Sequence, residues 1–329
     1  VGAAACLTGA GFMGPSLERL GRGEGCAGTL SIEEISRDLP PRLIRRLKRL
    51  SRMALSLATS ARDAAGRETS PAAVFWGTGW GPLSETHDFL DQLAASRHRF
   101  ASPTDFVGSL HNAPAGHVAA HFNARGPSIT ATGGDASFEQ ALLCASLMAH
   151  EIDGPFLVLG ADEAHPRFTP LFDPSAALAK HPSDGGGALW VHGMRKDGES
   201  GVRVYPAVLA PAEEFRPADM VAALGGPARL RSDFAAVFAG IPAAWREDGA
   251  ACLKEFLSVS GFDGPVLDFR RQIGEFATAS AAAVAVAVEA CRRKTILAPP
   301  DIPAPLSLES RGILVLGLGA CLSAVAVLP

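Results

Sequence analysis

One stretch limits the fold more than any other: PSITATGGDASFEQALLCASLMAHEIDGPFLVLGADEA, residues 127–164. Ser128 to Thr132 is β-rich, Gly133 and Gly134 force a sharp turn, Ala136 to His150 is strongly helical, and Phe156 to Gly160 is a buried strand. A strand, a tight turn and a buried helix in succession belong to an α/β architecture, which uses them to hold one side chain at a helix N-terminus. The residue so placed is Asp135.

Strand followed by helix recurs along the chain. Val1 to Met13 reads as a buried strand entering a Gly-rich turn, with a helix from Ser16. After Pro40-Pro41, leucines at helical spacing (Leu43, Leu47, Leu50) with Arg42, Arg45, Arg46, Arg49 and Arg52 on the remaining faces predict one basic amphipathic helix. Ala73 to Gly77 predicts a strand and Glu85 to Ala95 a helix; PSDGGG leads into the strand ALWVHG. The hydrophilic turn MRKDGESG precedes a strand over Val202 to Leu209 and divides the chain into halves 1–194 and 195–329. The second half repeats the plan, with a strand before Gly274, a long Ala/Val helix behind it, and a closing apolar pair in GILVLGLGACLSAVAVLP. Two such halves predict a pseudo-duplicated α/β fold.

Composition narrows the function. With 47% hydrophobic and 19% charged residues over 329 positions, the chain has the apolar content to fold. A net charge of −4 argues against a protein that coats nucleic acid. Six scattered cysteines without a C-x-x-C pair read as reduced thiols of a cytoplasmic protein. The N-terminal apolar stretch lacks a basic region and a cleavage site, and the other apolar runs are too short or Gly-punctuated to span a membrane. Neither nucleotide-binding glycine pattern is present. His117 and His121 have the i, i+4 spacing of a metal-binding helix, but no carboxylate or cysteine nearby completes a site, so a plain helix face is the better reading and no metal or cofactor is expected.

The sequence resembles the thiolase-fold ketosynthases. LTGAGFMGP is similar to their opening strand, and the Arg/Leu helix ending in ARDAAG to the next element. HNAPAGHVAAHFNARGPSITATGGDASFEQAL resembles the run through their nucleophile elbow, RQIGEFATASAA their Lys-x-x-x-Gly-His loop, and LGLGACLSAVAVL their closing hairpin. The resemblance implies a layered αβαβα fold. It places the nucleophilic cysteine at Asp135, the first catalytic histidine at Ala239, the second at Glu275, and the lysine at Arg270. The family's two histidines lie in the C-terminal half, and no histidine follows His192. Without the thiol and the imidazole pair, neither acyl transfer nor decarboxylative condensation is supported.

The pattern is therefore similar to the chain length factors, inactive ketosynthase homologues that heterodimerise with a Cys-bearing ketosynthase and complete an acyl tunnel, in particular those of aryl polyene systems. By that resemblance Phe106, His111, Asn112 and Phe138 are candidates for the tunnel or interface. Arg45 and Arg49 are candidates for docking an acidic acyl carrier protein, against the plainer reading of a solvated helix face. For Asp135 the plainer reading is a carboxylate that accepts helix N-terminal amides; the sharper one pairs it with Glu275 as the acid and base of an acyltransferase or thioester hydrolase. The plainer reading of Glu275 is a structural ion pair with Arg270 or Arg271.

Overall fold

A computed structural model describes residues 1–66, 69–193, 200–296 and 306–329. The expected dividing point at Met194/Arg195 lies outside the described residues. The strands in chain order are β1 (Ala3–Thr8), β2 (Gly11–Phe12), β3 (Val74–Gly77), β4 (Ser128–Ala131), β5 (Pro155–Asp162) and β6 (Gly185–His192). They continue with β7 (Gly201–Val204), β8 (Ala210–Pro211), β9 (Phe234–Gly240), β10 (Val266–Asp268), β11 (Thr295–Ile296), β12 (Leu306–Ser307), β13 (Gly312–Leu318) and β14 (Cys321–Leu328).

The first sheet runs β4-β3-β5-β6-β1-β2 and the second β10-β9-β13-β14-β7, with β8 attached to β14. Read from β4 and from β10, both have two parallel pairings followed by two antiparallel ones, and the first sheet adds a third antiparallel pairing, β1 with β2. The chain also visits the matching strands in the same order, so the duplication expected from the sequence is present in the topology.

Two helices lie between the sheets. Ser137–Met148 packs on β3, β4 and β5 and reaches β7 and β14; Ala279–Arg293 packs on β1 and β6 and on β13 and β14. The second is buried all round from Ala279 to Val288, as its unbroken Ala/Val composition requires. Glycine lets both helices approach: a Cβ on Gly77 would lie 2.6 Å from the Ser137 carbonyl oxygen, and one on Gly187 2.1 Å from that of Ala281. Helices Arg49–Ala64 and Ala113–Phe122 cover the outer face of the first sheet, and Pro217–Ala223, Gly226–Asp233 and Arg246–Ser260 cover the second. The result is five alternating layers. The central core draws on both halves, joining Phe75, Phe138 and Phe156 to Phe238, Phe276 and Val315.

Two expected elements differ. The strand over Val202–Leu209 stops at Val204 and turns into a short 3-10 segment, Pro206–Val208. The basic helix is two pieces, Pro41–Ile44 and Arg49–Ala64. Lys48 takes extended backbone between them and reaches Asp88, while Arg49 binds Asp184 through Nε at 2.5 Å and Nη2 at 2.9 Å. These partners are distant in sequence, and meeting them breaks the helix that local periodicity predicts. No helix among the described residues is long and apolar enough to cross a membrane.

Candidate functional site

The elbow is built by β4, the Gly133-Gly134 turn and the Ser137–Met148 helix. Gly134 has a φ of +56°, a region glycine enters without a Cβ penalty. Ser137 closes the turn, accepting from the Gly133 N–H at 2.9 Å and donating to the Gly134 carbonyl at 2.7 Å. Asp135 lies in a 3-10 turn, Gly134–Ala136, ahead of the helix proper.

Its carboxylate does not cap that helix, which corrects the capping expectation. Asp135 Oδ1 instead accepts from Arg270 Nη2 at 2.6 Å. Arg270 is 3% exposed and lies in the short helix Phe269–Ile273, which follows β10 as the elbow follows β4. The same Nη2 donates to the Ala277 carbonyl at 3.3 Å, and Nη1 lies 3.6 Å from Glu275 Oε2. Glu275 Oε1 accepts from Arg246 Nη2 at 3.2 Å, and Arg246 is held in turn by Asp268. Arg271 takes no part: its Nε pairs with Asp268 at 3.3 Å. Asp135 and Glu275 are thus brought together, with a buried guanidinium between them. Burial raises the Glu275 pKa, opposed by Arg270 and Arg246.

Beside Asp135 is a cavity of about 10 Å³ lined by Glu139, Arg270, Ser280, Cys321 and Ser323. That volume holds about one water and no acyl chain. The thiol lining it is disarmed, because burial, Glu139 and Asp135 raise the Cys321 pKa and so disfavour the thiolate. A carboxylate bound by a fixed guanidinium is a poor nucleophile and base.

Glu139 is 1% exposed, with Oε1 accepting from Ser323 Oγ at 3.1 Å and Oε2 without a partner among the described residues. Burial pushes its pKa from 4.5 up to about 7. The folded state therefore binds a proton more tightly than the unfolded chain, and the associated stability is present below pH 4.5 and lost as pH rises through about 7. Urea midpoints at pH 5 and pH 8 should show a more stable protein at pH 5. Glu139→Gln should narrow that difference by on the order of 2 kcal/mol.

Asp162, at the end of β5, ties the site to both halves. Its Oδ1 accepts from Thr78 Oγ1 at 2.7 Å and from the Gly79 and Trp80 amides at 2.8 Å; its Oδ2 accepts from the Thr278 amide and hydroxyl at 2.8 Å. The loop so anchored runs from the elbow to His111: Gly79 lies against the Gly134 backbone, and Gly81 against the His111 ring. His111 and Asn112 are exposed before helix Ala113–Phe122, and the His111 carbonyl accepts from Trp76 Nε1 at 3.2 Å. Phe106 is 50% exposed on helix Pro103–Gly108, its ring 5.6 Å from that of Phe89.

Among the remaining named residues, only the facing of Ala239 differs from expectation. Phe138 is fully buried in the central core, beside Gly160. Ala239 faces the outer core of the second sheet, and it is Gly240 and Pro242 that border the cavity, because side chains alternate along β9. Arg45 is exposed and lines an open groove with Arg46, Lys48 and Arg49, and of these Arg49 is also paired with Asp184. Arg246, Glu139 and Asp162 were not singled out from the sequence. Glu139 had the clearest signal of them, a carboxylate in the first turn of a helix predicted to be buried.

Residues 31–182 match the family described as beta-ketoacyl synthase, N-terminal domain. No curated protein matches the sequence. Among solved structures, a chain of "AntDE:AntF (apo): type II PKS acyl-carrier protein in complex with its ketosynthase bound to the hexaketide" has a TM-score of 0.77 at 13% identity, covering 100% of this chain and 98% of that one. A chain of the ishigamide ketosynthase/chain length factor has a TM-score of 0.70 at 17% identity, with 100% and 98% covered. A chain of the ketosynthase ApeO in complex with its chain length factor ApeC, from Xenorhabdus doucetiae, has a TM-score of 0.68 at 15% identity, with 99% and 96% covered. This chain has the thiolase-like ketosynthase fold along its whole length.

Proposed function

We propose that this chain, built on the ketosynthase fold, is a non-condensing subunit of the chain length factor type. It pairs with a Cys-bearing ketosynthase and shapes the acyl tunnel during polyketide or fatty acyl elongation. The observation that carries the reading is the elbow: its side chain is a carboxylate held by buried Arg270 beside a cavity the size of a water molecule. Two of the similar structures contain a ketosynthase with a chain length factor, and a third contains a ketosynthase with an acyl carrier protein. The repeated topology supports reading 1–194 and 195–329 as the two halves of one subunit.

The position of β4 supports pairing. It is the outer strand of the first sheet, bonded to β3 alone among the described residues, and it leads directly into the elbow. An uncovered edge of this kind is a template for a strand of a second chain. Phe106, His111 and Asn112, exposed on the far side of the Thr78–Gly81 loop, are proposed to contribute to that interface. Arg45, with Arg46 beside it, is proposed to meet an acidic carrier protein.

The test is intact-mass measurement after incubation with an acyl thioester, together with product formation by the reconstituted pair. No acyl adduct should form on this chain, and Asp135→Ala should leave the partner's product output unchanged. An adduct on Asp135 would refute the reading. A second reading, an acyltransferase or thioester hydrolase using Asp135 and Glu275, is favoured only by their convergence on Arg270. It requires thioester turnover by the chain alone that Asp135→Ala and Glu275→Ala each abolish.

A further inference from the structure

Away from the elbow, a second cavity of about 60 Å³ opens between helix Met13–Gly21 and the C-terminal part of helix Ala279–Arg293. Its walls are apolar. Leu17 and Leu20 form one side, and Phe238 and Phe269 approach from the second sheet and the short helix after it. On the central helix, Ala283, Val286, Ala290 and Arg293 all line it. Their spacing of i, i+3, i+7 and i+10 makes one helical stripe about 15 Å long, running from the core to the helix end. The two alanines on that stripe create the hollow, since larger side chains there would fill it.

The stripe ends in charge. Arg293 lines the cavity and is 51% exposed on its side chain, with Nε held by Glu289 at 2.7 Å. Arg292 and Lys294 flank it, so this end of the helix carries three cations against the single carboxylate of Glu289. At roughly 10–15 Å³ for each water-sized group, the cavity takes about four to six such groups, the scale of a short alkyl chain.

We propose that this cavity binds a short aliphatic carboxylate, its alkyl chain against Ala283 and Ala290 and its carboxylate at Arg293. Apolar walls favour the chain by removing it from water, and the cationic rim selects an anionic head over a cationic one. The site shares Phe269 with the cavity beside Asp135 but none of the elbow residues, and its occupancy does not depend on the function proposed above.

Saturation-transfer NMR on the intact protein, with pentanoate and pentylammonium as probes, tests this. The proposal expects saturable pentanoate binding and no saturable pentylammonium binding. Ala290→Leu should abolish the pentanoate signal by filling the hollow, and Arg293→Gln should weaken binding about fivefold while leaving the cavity intact. Leu20→Trp, on the opposite wall, provides a second blocking variant should Ala290→Leu fail to fold. Absence of pentanoate binding, equal binding of the two probes, or binding that survives both filled variants would overturn it.

Discussion

Arg270→Met is expected to destabilise the protein by about 3–5 kcal/mol, because it removes the only cation in contact with Asp135 among the described residues and leaves a mostly buried carboxylate without its partner. Methionine fills most of the volume without supplying a charge. Glu275 keeps Arg246, so the uncompensated charge falls mainly on Asp135, whose side chain is 25% exposed and recovers some hydration. The inverse substitution, Asp135→Asn, should cost less, since Arg270 retains Glu275 at 3.6 Å and the Ala277 carbonyl. A double-mutant cycle in urea should give a coupling energy between the two positions above about 1 kcal/mol. Additive effects would show that the pair is incidental.

Asp162→Ala should be at least as damaging. The carboxylate accepts five hydrogen bonds from donors in two separate segments, Thr78 to Trp80 and Thr278, and the residue is fully buried. Alanine leaves all five donors without that acceptor in a site closed to solvent. At about 1–3 kcal/mol for each stranded donor, even partial rearrangement exceeds much of the 5–15 kcal/mol that holds an ordinary domain folded. Little soluble protein, or a transition displaced by many degrees in thermal denaturation, is the expected result. Asp162→Asn retains one carbonyl acceptor and should fall between. If Asp162→Ala melted with the wild type, the link between the halves would lie elsewhere.

Much of the fold was legible because its signals are local. The glycine turn before Asp135, the Ala/Val helix behind Gly274 and the closing hairpin each announce themselves within about 30 residues, and the repeat of that plan predicts the duplication. The split of the basic helix was not legible. Its cause is Asp184 and Asp88, which lie 135 and 40 residues from their cationic partners. Phe138 and Ala239 show a different gap: the sequence places each near a turn of interest, but only the packing decides which face each presents. The ion cluster was half legible. Asp135, Arg270 and Glu275 could be named from aligned motifs, whereas Arg246 belongs to a helix beneath the second sheet whose own sequence carries no sign of Glu275.

The most direct measurement is affinity purification of the tagged, full-length protein from its native host, followed by native mass spectrometry. A one-to-one complex with a ketosynthase that carries an intact Cys and two His is the predicted outcome, with condensation lost when that partner's cysteine is replaced. A homodimer free of any such ketosynthase, turning over acyl thioesters by itself, would contradict it.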